Sequence, residues 1–258
     1  MEKKIILTVN TPYATITMNH PATMNAVTNE FAVQFLQALD EIEASPEIRA
    51  VILTGSGKNF CSGADLAFIQ NEDLSDIHEN VAFMERLQQM VLRMEALKLP
   101  IIAAVDGYCV GGGFSLALAA DYMIATRNAK FSMIFTKVGL VPDLGSFYFL
   151  PKIVGRAKAK QLIYTAEVID AEEAYRIGII GKLVESENLI ETAISDAQLI
   201  ASRAPKAVEL AKRTLNDSSA IDLESLLFKE ALLQASLFLT DDFKEAIQAF
   251  VEKRSLSL

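Results

Sequence analysis

The sequence predicts an α/β protein built on mixed sheets, and the spacing of its apolar residues predicts it. Short apolar runs bounded by glycine or polar residues, AVILTG, IIAAVDG and DYMIAT, read as buried strands. Longer stretches with apolar residues three or four apart read as helices. Extended segments tend to come in pairs before each helix. That order disfavours the strict strand–helix alternation of a doubly wound parallel sheet.

Residues 4–18 form two apolar segments around Asn-Thr-Pro, a hairpin signal. The polar loop NHPATMNAV follows, and Thr28–Asn29–Glu30 is placed to start a helix running to about Ile42. SPEIRA is a turn and AVILTG a buried strand. KNFCSG is expected as a second strand reached through Gly55–Ser56–Gly57, and GADLAFI opens a helical or loop segment extending to Asp76. From Glu79 to Leu97, Met84, Leu87, Val91 and Met94 keep helical spacing until Pro100 ends it. IIAAVDG leads into Gly111–Gly112–Gly113, and DYMIAT and AKFSM are further strands. After Val154 the pattern turns helical, over 157–164, 171–176, 188–202, 205–215, 223–239 and 241–253. Pro205 suits a first helical position. The segment ESLLFKEALLQASLFL carries more apolar surface than a peripheral helix needs, so core packing and a subunit interface are both open.

Hydrophobic residues make up 51% of the chain and charged residues 22%, an ordinary globular balance. The net charge of −9 argues against non-specific nucleic-acid binding, which needs a basic footprint. The start lacks the sustained apolar core of a secretory signal. The apolar run at 101–125 is interrupted by Asp106, Asp121 and glycines, so no membrane span is expected. Cys61 and Cys109 fit neither a disulfide framework nor a metal spacing; they are expected as small buried residues of a cytoplasmic protein.

Several motifs fail on inspection. In GSGKN the phosphate-loop glycine is replaced by Ile52, and Asn59 stands where Ser or Thr is required. Leu116 occupies the last glycine position of a dinucleotide fingerprint. Gly113–Phe114–Ser115–Leu116–Ala117 is one residue from a nucleophile elbow, but His20 and His78 both precede Ser115, so the order Ser, acid, His is impossible. Ser115 reads as a helix-start or pocket-lining serine. No metal site is expected, because two histidines alone do not make one.

Three features converge instead. FCSGADL places the Ala64 N–H after a glycine at the end of an extended segment. YCVGGG places the Gly112 N–H at a helix start, where backbone donors are free. KVGLVPDLGSFYFLP carries Asp143 on a loop between Pro142 and Gly145, among apolar residues.

FCSGADL, DGYCVGGG and FSMIFTKVGLVPDLGSFYFLPKIVGRAKA resemble the crotonase family, the enoyl-CoA hydratase/isomerase superfamily. MNHPATMNAV is similar to the family's CoA-side segment and DDFKEAIQAFVEKR to its C-terminal helix, so the resemblance spans essentially the whole chain. It implies a spiral of ββα units over residues 1–200 and a helical oligomerisation region over 201–258, forming a homotrimer or a dimer of trimers. It implies an acyl-CoA thioester substrate and no cofactor besides the coenzyme A of that substrate. The thioester carbonyl would sit between the N–H groups of Ala64 and Gly112. For substrate and CoA it points to Ala22, Met24, Ala26, Asp65, Leu66, Gly111, Ser115, Phe135 and Lys253. The usual basic residues of the first segment are His20 and Ala22 here, and Lys58 is a candidate substitute for them. Phe68, Phe83 and Phe147 are candidates for an acyl pocket or for plain core.

The family's hydratases carry two glutamates, at positions matched here by Ser115 and Phe135. Neither is a general base, so two-carboxylate hydration is in doubt. Asp143 in G-L-V-P-D resembles the branch containing enoyl-CoA and ring-epoxide-phenylacetyl-CoA isomerases. One base suffices for a 1,3-proton shift, and apolar neighbours are expected to raise its pKa. The expectation is a Δ3,Δ2-enoyl-CoA isomerase with Asp143 as proton shuttle. A hydratase using water placed by Asp143 is the alternative. Behind it stand a hydrolase or dehalogenase with Asp143 as nucleophile, and a non-catalytic CoA-binding member. The family's dehalogenases have tryptophan where this chain has Phe135, and the chain contains no tryptophan.

Overall fold

A computed structural model of the chain describes residues 3–70 and 74–254, with the side chains of Ala67 and Phe68 outside the description. The elements run β1 (Ile5–Asn10), β2 (Tyr13–Met18), α1 (Asn29–Glu43), β3 (Ala50–Gly55), α2 (Leu66–Ile69), α3 (Ile77–Ala96), β4 (Ile101–Val105), β5 (Tyr108–Val110) and α4 (Gly112–Leu118). Then follow β6 (Tyr122–Thr126), β7 (Lys130–Ser132), α5 (Ser146–Thr165), β8 (Ile169–Asp170), α6 (Ala171–Arg176), β9 (Lys182–Val184), α7 (Leu189–Ala201), α8 (Pro205–Ser218), α9 (Leu223–Leu237) and α10 (Asp241–Glu252).

The larger sheet has the order β1-β2-β3-β4-β6-β9, antiparallel at the β1–β2 hairpin and parallel elsewhere. A smaller sheet is ordered β5-β7-β8. Successive turns of chain lay one strand on the large sheet and a short rung on the other side. The rungs are Val27 with Ala64, Cys61 with Cys109, and β5 with β7. This is the expected spiral of paired extended segments and a helix. KNFCSG corrects one expectation: it is not a strand, because it contributes only the single bridge at Cys61.

Both faces of the central strands are covered, which is why they read as unbroken apolar runs. Val51, Leu53, Ile101, Ala103, Met123 and Ala125 join the main core with α1 and α3. Their neighbours Ile52, Ile102, Ala104 and Ile124 pack on the other side against Leu189, Ala193 and Ala197 of α7. The Thr28 hydroxyl caps α1 by accepting from the Phe31 N–H at 3.2 Å, and Phe31, Phe35, Ala38, Leu39 and Ile42 form its buried stripe.

Helix α5 begins far earlier than expected, at Ser146. Pro151 lies inside it and Gly155 breaks it with φ 77°, so its first half shows no regular sequence period. Pro205 opens α8 as expected. Lys212 of α8 is buried, and its ammonium donates to Asp121 at 2.9 Å and to the carbonyls of Met94 and Leu99, tying α8 to the sheet body. Helix α9 buries no residue, with Phe228 68% exposed, so packing on the core of its own chain is not what occupies its apolar surface. Among the described residues, no helix is long and apolar enough to cross a membrane.

Candidate active site

The triple glycine sits where β5 gives way to α4, and its members have different reasons to be glycine. Gly111 has φ 54°, a left-handed conformation unfavourable for a side chain. A Cβ on Gly113 would lie 2.4 Å from the Cys61 carbonyl oxygen, so the rung carrying Cys61 needs a bare backbone there. Gly112 is different. A Cβ there would meet only ordinary contacts, 3.5 Å from Leu144 Cδ1 and 3.9 Å from Asp143 Oδ1. There is therefore room for a small group beside Gly112, bordered by the Asp143 loop.

The same space is reached from the other rung. Gly63, with φ 83°, lies against the Gly112 amide, and the Val27 N–H donates to the Gly63 carbonyl at 2.7 Å, holding the start of Ala64 beside it. Among the described residues, no group accepts from the Ala64 or the Gly112 N–H. Cys61 and Cys109 lie behind this wall, buried as expected. Burial pushes the Cys61 thiol up to about 12 and Cys109 well above its ordinary value, so both stay neutral thiols.

These pieces line a cleft of about 130 Å³. Its wall includes Ala64, Asp65, Leu66, Gly111, Gly112 and Phe135 as expected, and Phe83 joins Met84, Leu87 and Leu140 on its apolar side. Asp65 and Asp143 are the carboxylates on that wall. Asp143 Oδ1 is fully buried and accepts no hydrogen bond among the described residues. Burial, only partly offset by its own backbone N–H, raises the Asp143 carboxyl from 3.8 to about 6. A carboxylate with one oxygen left without a donor in an apolar cleft is a poor structural group and a good proton acceptor.

Other expected site residues lie apart from the cleft. Ser115 does not line it. The side chain is fully buried, and its hydroxyl donates to the Gly111 carbonyl at 3.2 Å and pairs with Ser146 Oγ at 2.6 Å. Phe147 points outward at 57% exposure and Phe68 falls outside the described side chains. Ala22 and Met24 are exposed on the loop before α1, while Ala26 is buried there. Lys253 caps α10 and is exposed. Neither that loop trio nor Lys253 touches the cleft.

Sequence reasoning missed Asn25. Fully buried, it donates to the carbonyls of Ser56, Asn59 and Phe60 and accepts from the His20 N–H at 2.8 Å. It therefore ties the Ala22–Ala26 loop to the loop bearing Lys58. Its φ of 58° is tolerated better by asparagine than by most residues, which is the one signal that MNAV offers.

The chain as a whole is similar to known proteins. A family model described as enoyl-CoA hydratase/isomerase matches residues 9–257. A crotonyl-CoA hydratase of Syntrophomonas wolfei is 37% identical over 98% of this chain and 96% of its own. A 1,2-epoxyphenylacetyl-CoA isomerase of Escherichia coli is 34% identical over 93% of this chain and 92% of its own. The crystal structure of an enoyl-CoA hydratase from Bacillus anthracis superposes with a TM-score of 0.94 at 32% identity, covering 99% of this chain and 98% of that one.

Proposed function

Because the chain belongs to the enoyl-CoA hydratase/isomerase family, we propose that it moves the double bond of a 3-enoyl-CoA thioester into conjugation, with Asp143 as the proton shuttle. The thioester carbonyl accepts from the N–H groups of Ala64 and Gly112. Asp143 takes a proton from C2, and the electrons of that C–H bond move onto the thioester oxygen as a dienolate. Returning the proton at C4 re-forms the carbonyl and leaves the double bond between C2 and C3. Fixed backbone donors favour the oxyanion as charge develops, each typically worth about 2.7–4 kcal/mol.

The observation that carries this reading is Asp143 Oδ1, buried and unpartnered beside the Gly112 backbone. The positions matched to the hydratase glutamates hold Ser115, turned into the core, and Phe135, part of the apolar wall.

Hydration is the second reading, favoured by the crotonyl-CoA hydratase relative at 37% identity. There Asp143 would orient a water toward C3. A panel of 2-enoyl and 3-enoyl-CoA thioesters separates the two. The isomerase reading predicts rapid conversion of the 3-enoyl thioester and slow hydration of the 2-enoyl one; the reverse ratio overturns it.

The CoA end is assigned to the backbone of Ala22, Met24 and Ala26, with Lys58 supplying charge from the loop that Asn25 holds alongside. The exposed apolar faces of α9 and α10, Phe228 and Phe250 among them, support assembly into a homotrimer or a dimer of trimers, in which Lys253 reaches a neighbour's ligand. Two free, buried thiols suit a cytoplasmic location.

A further inference from the structure

The two buried serines behind the cleft are joined to its chemistry by proton arithmetic. Ser115 Oγ lies 3.2 Å from the Gly111 carbonyl oxygen, which only accepts, so Ser115 spends its single hydroxyl proton there. Ser146 Oγ is 2.6 Å from Ser115 Oγ, a contact in which either hydroxyl can donate; with the Ser115 proton on Gly111, Ser146 is the donor, the arrangement that uses both protons. Both side chains are fully buried. The hydrogen bonds run one way: from Ser146 to Ser115 to the oxygen of Gly111.

The Gly111 carbonyl and the Gly112 N–H are two ends of one rigid peptide unit. Its oxygen already accepts from the Ser115 N–H at 3.0 Å, so the hydroxyl is an added donor. Donation to an amide oxygen draws electron density away from its nitrogen and strengthens the N–H as a donor, the cooperative effect expected along hydrogen-bond chains at low dielectric. Ser146 is also bound at the other side of the cleft, because its N–H donates to the Asp143 carbonyl at 3.0 Å. One serine thus touches the turn that presents the base and, through Ser115, the peptide that presents the oxyanion donor.

We propose that Ser146 and Ser115 form a positioning relay that orients and polarises the Gly111–Gly112 peptide against the thioester oxygen and fixes its spacing to Asp143. This rests on the thioester reading of the cleft, and on no particular choice between isomerase and hydratase. It gives Ser115 a role in place of the carboxylate that its position lacks. Both serines are positioning residues, since neither touches substrate.

The test uses the full-length protein, its Ser146→Ala and Ser115→Ala variants and the double variant. Butanoyl-CoA labelled with ¹³C at the thioester carbonyl, which does not turn over, reports donor strength through its infrared carbonyl band. Wild type should shift that band to lower frequency than in water, and each variant should return it part of the way. With the substrate that wild type turns over, kcat should fall roughly 10-fold in either single variant, less than the 10²–10³-fold for deleting an oxyanion donor outright. KM should stay within about twofold, and the double variant should be no worse than about twofold below the poorer single one, because the relay acts as a unit. A wild-type band displaced equally in the variants, or losses that multiply in the double variant, overturns the relay while leaving the thioester site standing. No displacement in wild type overturns the thioester site itself. If one variant does not fold, the other carries the same band prediction.

Discussion

The two sides of the cleft are built on opposite terms. On the glycine side, backbone packs closely on backbone, and among the described residues nothing accepts from the Ala64 and Gly112 N–H groups that border the cleft. On the Asp143 side, a loop with exposed Leu140 and Val141 holds a carboxyl oxygen that no group among the described residues satisfies. The first is a scaffold held by tight backbone geometry. The second holds a carboxyl group at a cost in stability, the trade that the proposed proton shuttle requires. Substitutions where backbone packs on backbone, as at Gly113, should therefore register mainly in folding, and those bordering the cleft, at Gly112 or Asp143, mainly in rate.

The largest effect expected is on rate. Asp143→Asn keeps the shape and removes the base, and steady-state assay should show kcat down by roughly 10²–10⁴-fold with thioester affinity unchanged. Next comes folding. Gly113→Ala drives a methyl into the Cys61 carbonyl, and urea denaturation should show a loss of about 3 kcal/mol. Gly112→Ala, one residue earlier, meets only ordinary contacts. Its stability should stay within about 1 kcal/mol of wild type. The methyl narrows the gap between donor and base, however, so kcat/KM should fall roughly 10-fold, a small loss of transition-state fit. Similar outcomes for the two alanines would erase the distinction between them.

The smallest effect runs against intuition. Because the Asp143 carboxyl is raised from 3.8 to about 6, the folded protein binds more protons than the unfolded chain in that window. Stability attributable to this group is highest below the lower value, falls as pH rises through the window, and stays reduced above about 6. Asp143→Asn should therefore be more stable than wild type at pH 7, by on the order of 1–2 kcal/mol once water at the cleft mouth is allowed for, with the gain vanishing near pH 3. Activity follows the opposite sign: kcat/KM of wild type should rise with pH to a plateau above about 6, as the base loses its proton.

The same asymmetry governs what the sequence reveals. Strands covered on both faces, such as Ala50–Gly55 and Ile101–Val105, are legible because burial demands unbroken apolar runs. The two- and three-residue strands, among them Ile169–Asp170 and Lys182–Val184, are too short to carry a period. KNFCSG is extended yet pairs at one residue, so its apolar pattern overstated it. Pro151 and Gly155 disguised the first half of α5. The Ala64, Gly112 and Asp143 trio was readable because glycines and a lone acid among apolar residues leave visible marks. The turning inward of Ser115 and the bonding of Asn25 were not, since both depend on partners 31 or more residues away.

The central claim, one buried base carrying one proton across the face of the substrate, is tested most directly by isotope transfer. A 3-enoyl-CoA thioester deuterated at C2, turned over once in ordinary water, should deliver part of its deuterium to C4 of the product, because Asp143 Oδ1 is buried. Deuterium found wholly in the water, with hydroxyl added at C3, would contradict the account.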